Sequence, residues 1–343
     1  MDAICFDNQH LESFRTFIDE ARRIVIVAHR NADGDAVGSS LGLWHMLCQQ
    51  DKQVTVMLPN GCPNTFSWLP CSSHILNGDL QPEDCKEAMS AADLLIGTDF
   101  NQLSRIATLS QPFADAHGKK VLIDHHENPD REAFDIVFSY PKMSSASELC
   151  YWISSRLWGS DCLTTAAATC FYTGIRTDTG GLSFSCDQPS LYQAVGDLVG
   201  RNIDPARLNH YISDNFTASR LRFYAFALSE RLKIFEDYHF AYFFLSQDDL
   251  QHYDIVSSEL EGLVNYALMI SNIEVGVLIR EEPERIKLSF RSKFDTNVEK
   301  IAREEFGGGG HFHASGADSM NMSFQEVIKK VESIFLKASI DHA

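Results

Sequence analysis

Residues 24–39 read IVIVAHRNADGDAVGS, five apolar residues followed at once by a polar stretch broken by glycine. A short run that is apolar throughout, rather than alternating, suits a strand covered on both faces, as in a parallel sheet. Beyond it, Val37, Leu41, Trp44 and Cys48 recur at helical spacing, so the segment reads as strand, polar loop and helix. Similar runs follow at Val54–Leu58 (VTVML), Leu94–Gly97 (LLIG) and Val121–Ile123 (VLI). The expected fold class is therefore α/β with a parallel sheet. Three of these runs end in ionisable residues: His29 with Asp33 and Asp35, then Asp99, then Asp124, His125 and His126. Ligands of open parallel sheets gather at the carboxyl ends of strands, so these segments can converge although they are far apart in the chain.

The chain has 343 residues, enough for two domains, and its 44% hydrophobic and 22% charged content is that of a soluble globular protein. With 29 basic against 47 acidic residues the formal charge is -18. That sign argues against a surface that holds long DNA or anionic membrane by neutralisation; a polyanion bound here must be short or met by a metal. The nine cysteines form no Cys-x-x-Cys pair, which leaves zinc ribbons and thioredoxin-like chemistry unsupported and suggests reduced, mostly buried thiols. The start carries Asp2 and Asp7 without a basic and apolar leader pattern, and no stretch approaches the roughly 18 apolar residues of a membrane span. A cytoplasmic location is the simplest expectation.

The character changes beyond about residue 190. The polar stretch 200–219 (GRNIDPARLNHYISDNFTAS) reads as a helical linker, giving domains 1–195 and 221–343 with the linker at 196–220. In the second domain, Phe240–Leu245, Ile273–Arg280 and Arg285–Arg291 read as strands. In the last of these Ile286, Leu288 and Phe290 should face a core and Lys287, Ser289 and Arg291 the outside. Thr296 and Glu299 form a T-x-x-E pattern expected to cap a helix through Val298, Ile301, Ala302 and Phe306, ending at Gly307–Gly310. This is a second, smaller α/β domain.

His29, Asp33 and Asp35 form an H-x3-D-x-D spacing in a loop that looks too short and glycine-broken for a helix. By itself this spacing leaves a cation site and a solvated turn equally open. Asp99, the Asp124–His126 triplet and Asp178 in TGIRTDTGG change the balance. Several like charges gathered without a partner would be costly, whereas two divalent ions would hold them by mixed imidazole and carboxylate ligation. Oxygen-rich donors without thiolate suit Mn²⁺ best, with Mg²⁺, Co²⁺, Fe²⁺ and Zn²⁺ compatible. Gly308, Gly309 and Gly310 at a helix end would expose backbone N–H groups that, with His311, admit a phosphate closely.

AHRNADGDAVGS, GTDFN, Asp124-His125-His126, TGIRTDTGG and FGGGGHFHASGA follow one another in an order that resembles the DHH phosphoesterase superfamily, in the subgroup with a DHHA1 domain. The resemblance runs from about residue 13 to 335 and is greatest to its bifunctional oligoribonucleases and pAp phosphatases. It implies a DHH domain and a DHHA1 domain with the active site in the cleft between them. It also implies one metal held by His29, Asp33 and Asp99, and a second held by Asp35, Asp99, His125 and Asp178, with Asp99 as the bridge. His126 would stay off the metals as an acid or phosphate contact, and Asp124 would orient the histidines from behind. Arg291 resembles a phosphate-clamping arginine, and Ser144, Ser145 and Ser147 resemble a substrate-side loop, although a helix cap explains them equally well. Two departures are Arg30-Asn31-Ala32, where relatives often carry Pro before the Asp, and Ser315 in place of Ala.

The activity implied is hydrolysis of short oligoribonucleotides, about two to five nucleotides long, to 5′-mononucleotides, and of pAp to AMP and phosphate, by a water activated between two metals. The partners expected are short RNA or nucleotides, not long DNA or membrane, with room for a homodimer. Alternatives are a phosphodiesterase for pApA, the linear product of a cyclic dinucleotide, and a non-catalytic nucleotide sensor. A sensor would be expected to have lost a residue such as Asp99 or His125, and a pyrophosphatase would carry a different second domain.

Overall fold

The computed structural model describes residues 4, 6–214 and 216–336. The chain forms two compact units, Met1–Asn215 and Phe216–Ala343. The stretch read as a linker thus divides between them. The helix Pro205–Ser213 belongs to the first unit, because its Leu208 packs into that unit's core.

The first unit is built on six parallel strands: β1 Arg23–Val27, β2 Gln53–Leu58, β3 Leu76–Asn77, β4 Leu94–Thr98, β5 Lys119–Asp124 and β6 Ile136–Ser139, in the order β3-β2-β1-β4-β5-β6. The four apolar runs account for β1, β2, β4 and β5. The two-residue β3 carries no apolar run; β6 carries Ile136, Val137 and Phe138, a run as short as that of β5 that stands outside the expected strands. All five residues of β4 are buried, as expected of a strand with helices on both faces. One face rests on a cluster that includes Ile24, Ile26, Leu94, Ile96, Val121 and Ile123, the other on Val25, Val27, Leu95 and Leu122. Each such side chain contributes roughly 1.5–3 kcal/mol on burial.

The second unit carries six strands in a mixed sheet: β7 Leu232–Phe235, β8 Phe240–Leu245, β9 Val275–Glu281, β10 Ile286–Ser292, β11 Gly309–His311 and β12 Ala314–Ser319, ordered β11-β12-β10-β9-β8-β7. The pair β8–β9 is parallel and the rest antiparallel. In β10 the alternation holds: Ile286, Leu288 and Phe290 are buried, while Lys287, Ser289 and Arg291 are half-buried. The following helix, Val298–Phe306, is capped differently from expectation. Asn297, not Thr296, accepts the Lys300 N–H, and Glu299 instead pairs with Arg303 one turn on. Asn shares the strong capping preference of Thr, so the motif alone did not decide between neighbours. No helix among the described residues is long and apolar enough to cross a membrane.

The described cysteines are all free thiols: Cys85, Cys150 and Cys170 are buried, Cys48, Cys62, Cys71 and Cys186 half-buried, and Cys162 exposed. Their burial is therefore less complete than the sequence suggested.

Candidate metal centre

The strand order reverses its direction of growth between β1 and β4, the point at which open α/β sheets bind ligands beyond the carboxyl ends of their strands. His29 follows β1, Asp99 follows β4, and Asp124 ends β5 with His125 and His126 directly after it. Neighbouring strands thereby bring together residues separated by about a hundred positions. Asp99 leaves its strand with φ +60°, a left-handed conformation that Asp tolerates better than most residues, and its N–H is held by Ile123 O at 3.1 Å.

The polar stretch after β1 is not a loop throughout. A helix starts at Gly34 and runs to Cys48; Asp33 is its N-cap, accepting the N–H groups of Asp35 and Ala36 at 2.9 and 3.0 Å. The glycines of this helix serve a close helix crossing rather than a loop. A Cβ on Gly34, Gly38 or Gly42 would lie 2.4 Å from Thr177 Oγ1, 2.6 Å from Cys170 O or 2.2 Å from the Phe171 ring, all on the helix Thr165–Asp178. That crossing sets Asp35, near the start of one helix, beside Asp178, the last residue of the other. The short connection before Asp33 is held from outside rather than by proline. Arg30 forms a two-pronged ion pair with Asp79 (3.2 and 2.7 Å), and the N–H of Asn31, at φ +55°, donates to Asn60 Oδ1.

Side-chain donors from these segments form three overlapping groups whose ligand atoms lie within 4.8 Å of one another: His29, Asp33 and Asp99; Asp35, His125 and Asp178; and Asp99, His125 and His126. Asp99 stands in the middle, with Oδ2 3.4 Å from His29 Nε2 and Oδ1 3.5 Å from His125 Nε2. His125 Nε2 is also 3.5 Å from Asp178 Oδ2 and 3.9 Å from Asp35 Oδ2. Three-residue groups of carboxylate oxygen and imidazole nitrogen, without thiolate, fit hard to borderline divalent cations. The residues present therefore suit the metals that the sequence pattern implies.

The imidazoles are held in different ways. His126 Nδ1 lies 2.7 Å from Asp124 Oδ1, whereas His125 Nδ1 lies 3.3 Å from Met143 O. Asp124 thus positions His126 and leaves His125 to a backbone carbonyl, narrower than the expected role behind both rings. Asp124 Oδ2 is buried without a hydrogen-bond partner.

Packing this many carboxylates together distorts their acidity. Burial, reinforced by Asp99 and Asp178, pushes Asp35 well above the usual carboxylate range. Burial dominates again at Asp178, raising it to about 7 against the pull of His125. Asp99 goes the other way: burial opposes its charge, but contacts with His125 and His29 hold it well below the usual value. Burial likewise works against the His29 cation, and Asp99 and Asp33 overcome it, lifting His29 to about 9. Protons here take the place that cations would fill.

Ala146 carried no sign of a site role in the sequence, and Ser147 stood out only for its resemblance to a substrate-side loop. The backbone N–H groups of Ala146 and Ser147 donate to the two oxygens of Asp35 at 2.6 and 2.8 Å, so the start of the helix Ala146–Trp158 fixes that carboxylate. Ser145 is the N-cap of that helix, and Ser144 is tied to the buried Glu148, which also accepts from Ser190. Ser145 thus caps this helix, and the proximity of Ala146 and Ser147 to Asp35 is purely tertiary.

The remaining expected residues lie in the second unit. Arg291, half-buried on β10, donates to Phe290 O at 3.0 Å. The glycine run is not a bare loop. Gly307 caps the helix at φ +67°, the Gly308 N–H is spent on Ala302 O at 2.9 Å, and Gly309 and Gly310 enter the edge strand β11 opposite Gly316 and Ser315. A Cβ on Gly308 would lie 2.1 Å from Gly316 O, so close packing on β12 demands glycine there. The His311 side chain lies outside the described residues.

Residues 23–175 match the DHH family, N-terminal domain, and residues 237–337 match the DHHA1 domain. The solved structure of an exopolyphosphatase-related protein from Bacteroides fragilis is similar over 96% of both chains, with a TM-score of 0.92 and 35% identity. The chain belongs to the DHH family. Among curated DHH relatives, the probable bifunctional oligoribonuclease and PAP phosphatase NrnA of Streptococcus mutans is 27% identical over 93% of this chain and 97% of its own. The bifunctional oligoribonuclease and PAP phosphatase NrnA of Bacillus subtilis is 28% identical over 86% and 88%.

Proposed function

We propose that this DHH protein is a metal-dependent phosphoesterase that cuts short oligoribonucleotides to 5′-mononucleotides and converts pAp to AMP and phosphate. The observation that carries this reading is the pair of oxygen and nitrogen donor groups on either side of Asp99, at the point where an α/β sheet binds its ligand. The names of the full-length relatives point the same way. In this reading His29, Asp33 and Asp99 hold one divalent ion, and Asp35, Asp99, His125 and Asp178 hold a second, Mn²⁺ being the preferred metal. Bound there, such ions supply Lewis acidity and neutralise phosphoryl oxygens.

The chemistry adds water across an O3′–P bond: the water oxygen ends on phosphorus, and a proton ends on the departing 3′ oxygen. His126, held at Nδ1 by Asp124, offers Nε2 to the phosphoryl group or to that leaving oxygen. One site serves both substrates, because pAp and a 5′-phosphorylated dinucleotide present the same bond just beyond a 5′-phosphorylated nucleotide. Arg291 and the glycine strand, with His311, are assigned the grip on that terminal phosphate. A cytoplasmic setting, where free thiols stay reduced, completes the reading.

The test is a Mn²⁺-supplemented assay across pAp, pApA, oligoribonucleotides of graded length and pyrophosphate. Turnover of pAp and of the shortest RNAs, with a 5′ label released first as mononucleotide, is expected. A label that stays on the longest fragments places the grip at the other end. Turnover of pApA alone marks a cyclic-dinucleotide pathway, and absence of turnover on every substrate leaves a sensor.

A further inference from the structure

Two aromatic side chains of the second unit stand out in solvent where a globular surface would normally be polar. Phe294 is 70% exposed and Phe312 45% exposed. They root on adjoining backbone. Ser292, the last residue of β10, donates its N–H to His313 O at 3.1 Å, and Val298 N–H donates to Phe312 O at 2.9 Å. The turn between β11 and β12 is thereby pinned between the end of β10 and the start of the next helix. Arg291 lies three residues before Phe294, and Lys293 directly before it.

Phe312 is braced edge-on by His313, with ring centroids 4.7 Å apart at 70°, and His313 Nδ1 is in turn 3.0 Å from Ser292 Oγ. Phe294 sits at φ +55°, a left-handed conformation that is costly for a bulky side chain and that glycine or asparagine would adopt more easily. Strain of this kind persists where the surroundings impose it, and it is more frequent at ligand sites than elsewhere. A conformational cost that presents an aromatic ring to water has no return in core packing.

We propose that Phe294 and Phe312 form a stacking platform for a nucleobase of the substrate, beside the strand end that carries Arg291. The inference rests on the function proposed above and deepens it, because it assigns the base a site that the phosphate chemistry alone does not need. Short substrates make such a platform useful. A chain of charge -18 gains little from successive phosphates, whereas every base has a face that an aromatic ring can cover regardless of its identity. Turnover should accordingly depend weakly on base identity and strongly on base presence.

The experiment measures calorimetric binding of AMP and of ribose 5-phosphate, which lacks the base, to the full chain with Mn²⁺. Wild type should prefer AMP. Phe312→Ala and Phe294→Ala should each lose roughly 5- to 100-fold in AMP affinity, with ribose 5-phosphate unchanged and Phe312→Trp restoring AMP binding. Phe294→Gly provides a second signature: it relieves the strain, so Tm should hold or rise while AMP affinity falls. Equal losses for both ligands, or no loss for either, would overturn the platform. So would alanine variants that change the oligomeric state with AMP binding intact, since the rings would then be a contact between copies of this chain. Dinucleotide hydrolysis by wild type is measured in parallel. Failure there with AMP discrimination intact defeats the proposed activity and spares the platform; the reverse pattern defeats the platform alone.

Discussion

Asp124 and His126 are two positions apart and joined side chain to side chain, Oδ1 to Nδ1, at 2.7 Å. Asp124 is fully buried, and its other oxygen has no partner, so the contact with His126 is its one described side-chain hydrogen bond. Such a carboxylate fixes both the tautomer and the direction of the ring. Asp124→Asn should lower kcat by roughly 10²- to 10⁴-fold while bound metal, measured by elemental analysis, stays at the wild-type amount. His126→Ala should match it in both respects. Loss of an ion from either variant would make His126 a ligand, as its place beside Asp99 and His125 permits.

Asp99 touches both donor groups, one oxygen towards His29 and the other towards His125. Removing its charge weakens two cations at once. Asp99→Asn should abolish turnover by several orders of magnitude and reduce metal content for both ions, whereas Asp33→Asn should affect one. Titration of Mn²⁺ into each variant separates the outcomes, and near-normal stoichiometry in Asp99→Asn would end the bridging assignment.

Helical glycines in this chain divide into two kinds. Gly38→Ala places a Cβ 2.6 Å from Cys170 O, in the crossing that sets Asp35 beside Asp178. It should cost about 1–3 kcal/mol in denaturant unfolding and weaken Mn²⁺ binding as well. Gly196, in the helix Pro189–Val199, has nothing within 4 Å of a built Cβ, so Gly196→Ala should stabilise by roughly 0.5–1 kcal/mol and leave metal affinity alone.

Prepared without divalent ions, the protein should lose stability as pH rises from about 4 to 9. Asp178 is raised from 3.8 to about 7 and His29 from 6.5 to about 9. A group raised in the folded state contributes stability that is present below its unfolded value and fades as pH climbs through the folded one. Cations compete for the same sites, so Mn²⁺ affinity should increase over the upper part of that window and binding should release protons near pH 7. Calorimetry in buffers of different ionisation enthalpy measures the release; a pH-independent affinity between 6 and 9 would contradict the crowded-carboxylate account.

Much of the architecture was legible because it depends on local patterns. Uninterrupted apolar runs suffice to specify β1, β4 and β5, since a strand buried on both faces has no polar alternation to hide it, and the run of β2 does the same although Thr55 breaks it. Strict alternation did the same for β10. The ionisable residues at the strand ends announced a centre, since the carboxyl ends of parallel strands meet at one edge whatever the order of the strands. What only the tertiary structure decided are matters of proximity between elements. Asp35 is fixed by amides 111 and 112 positions away, and no local pattern encodes that distance. The glycines after Asp33 proved to be contact points between helices rather than loop formers, and the late glycine run became a cap and an edge strand because β12 lies against it. A glycine in sequence states only that a side chain is absent. Which neighbour requires that absence is settled when the chain packs, because the close approach belongs to the partner as much as to the glycine.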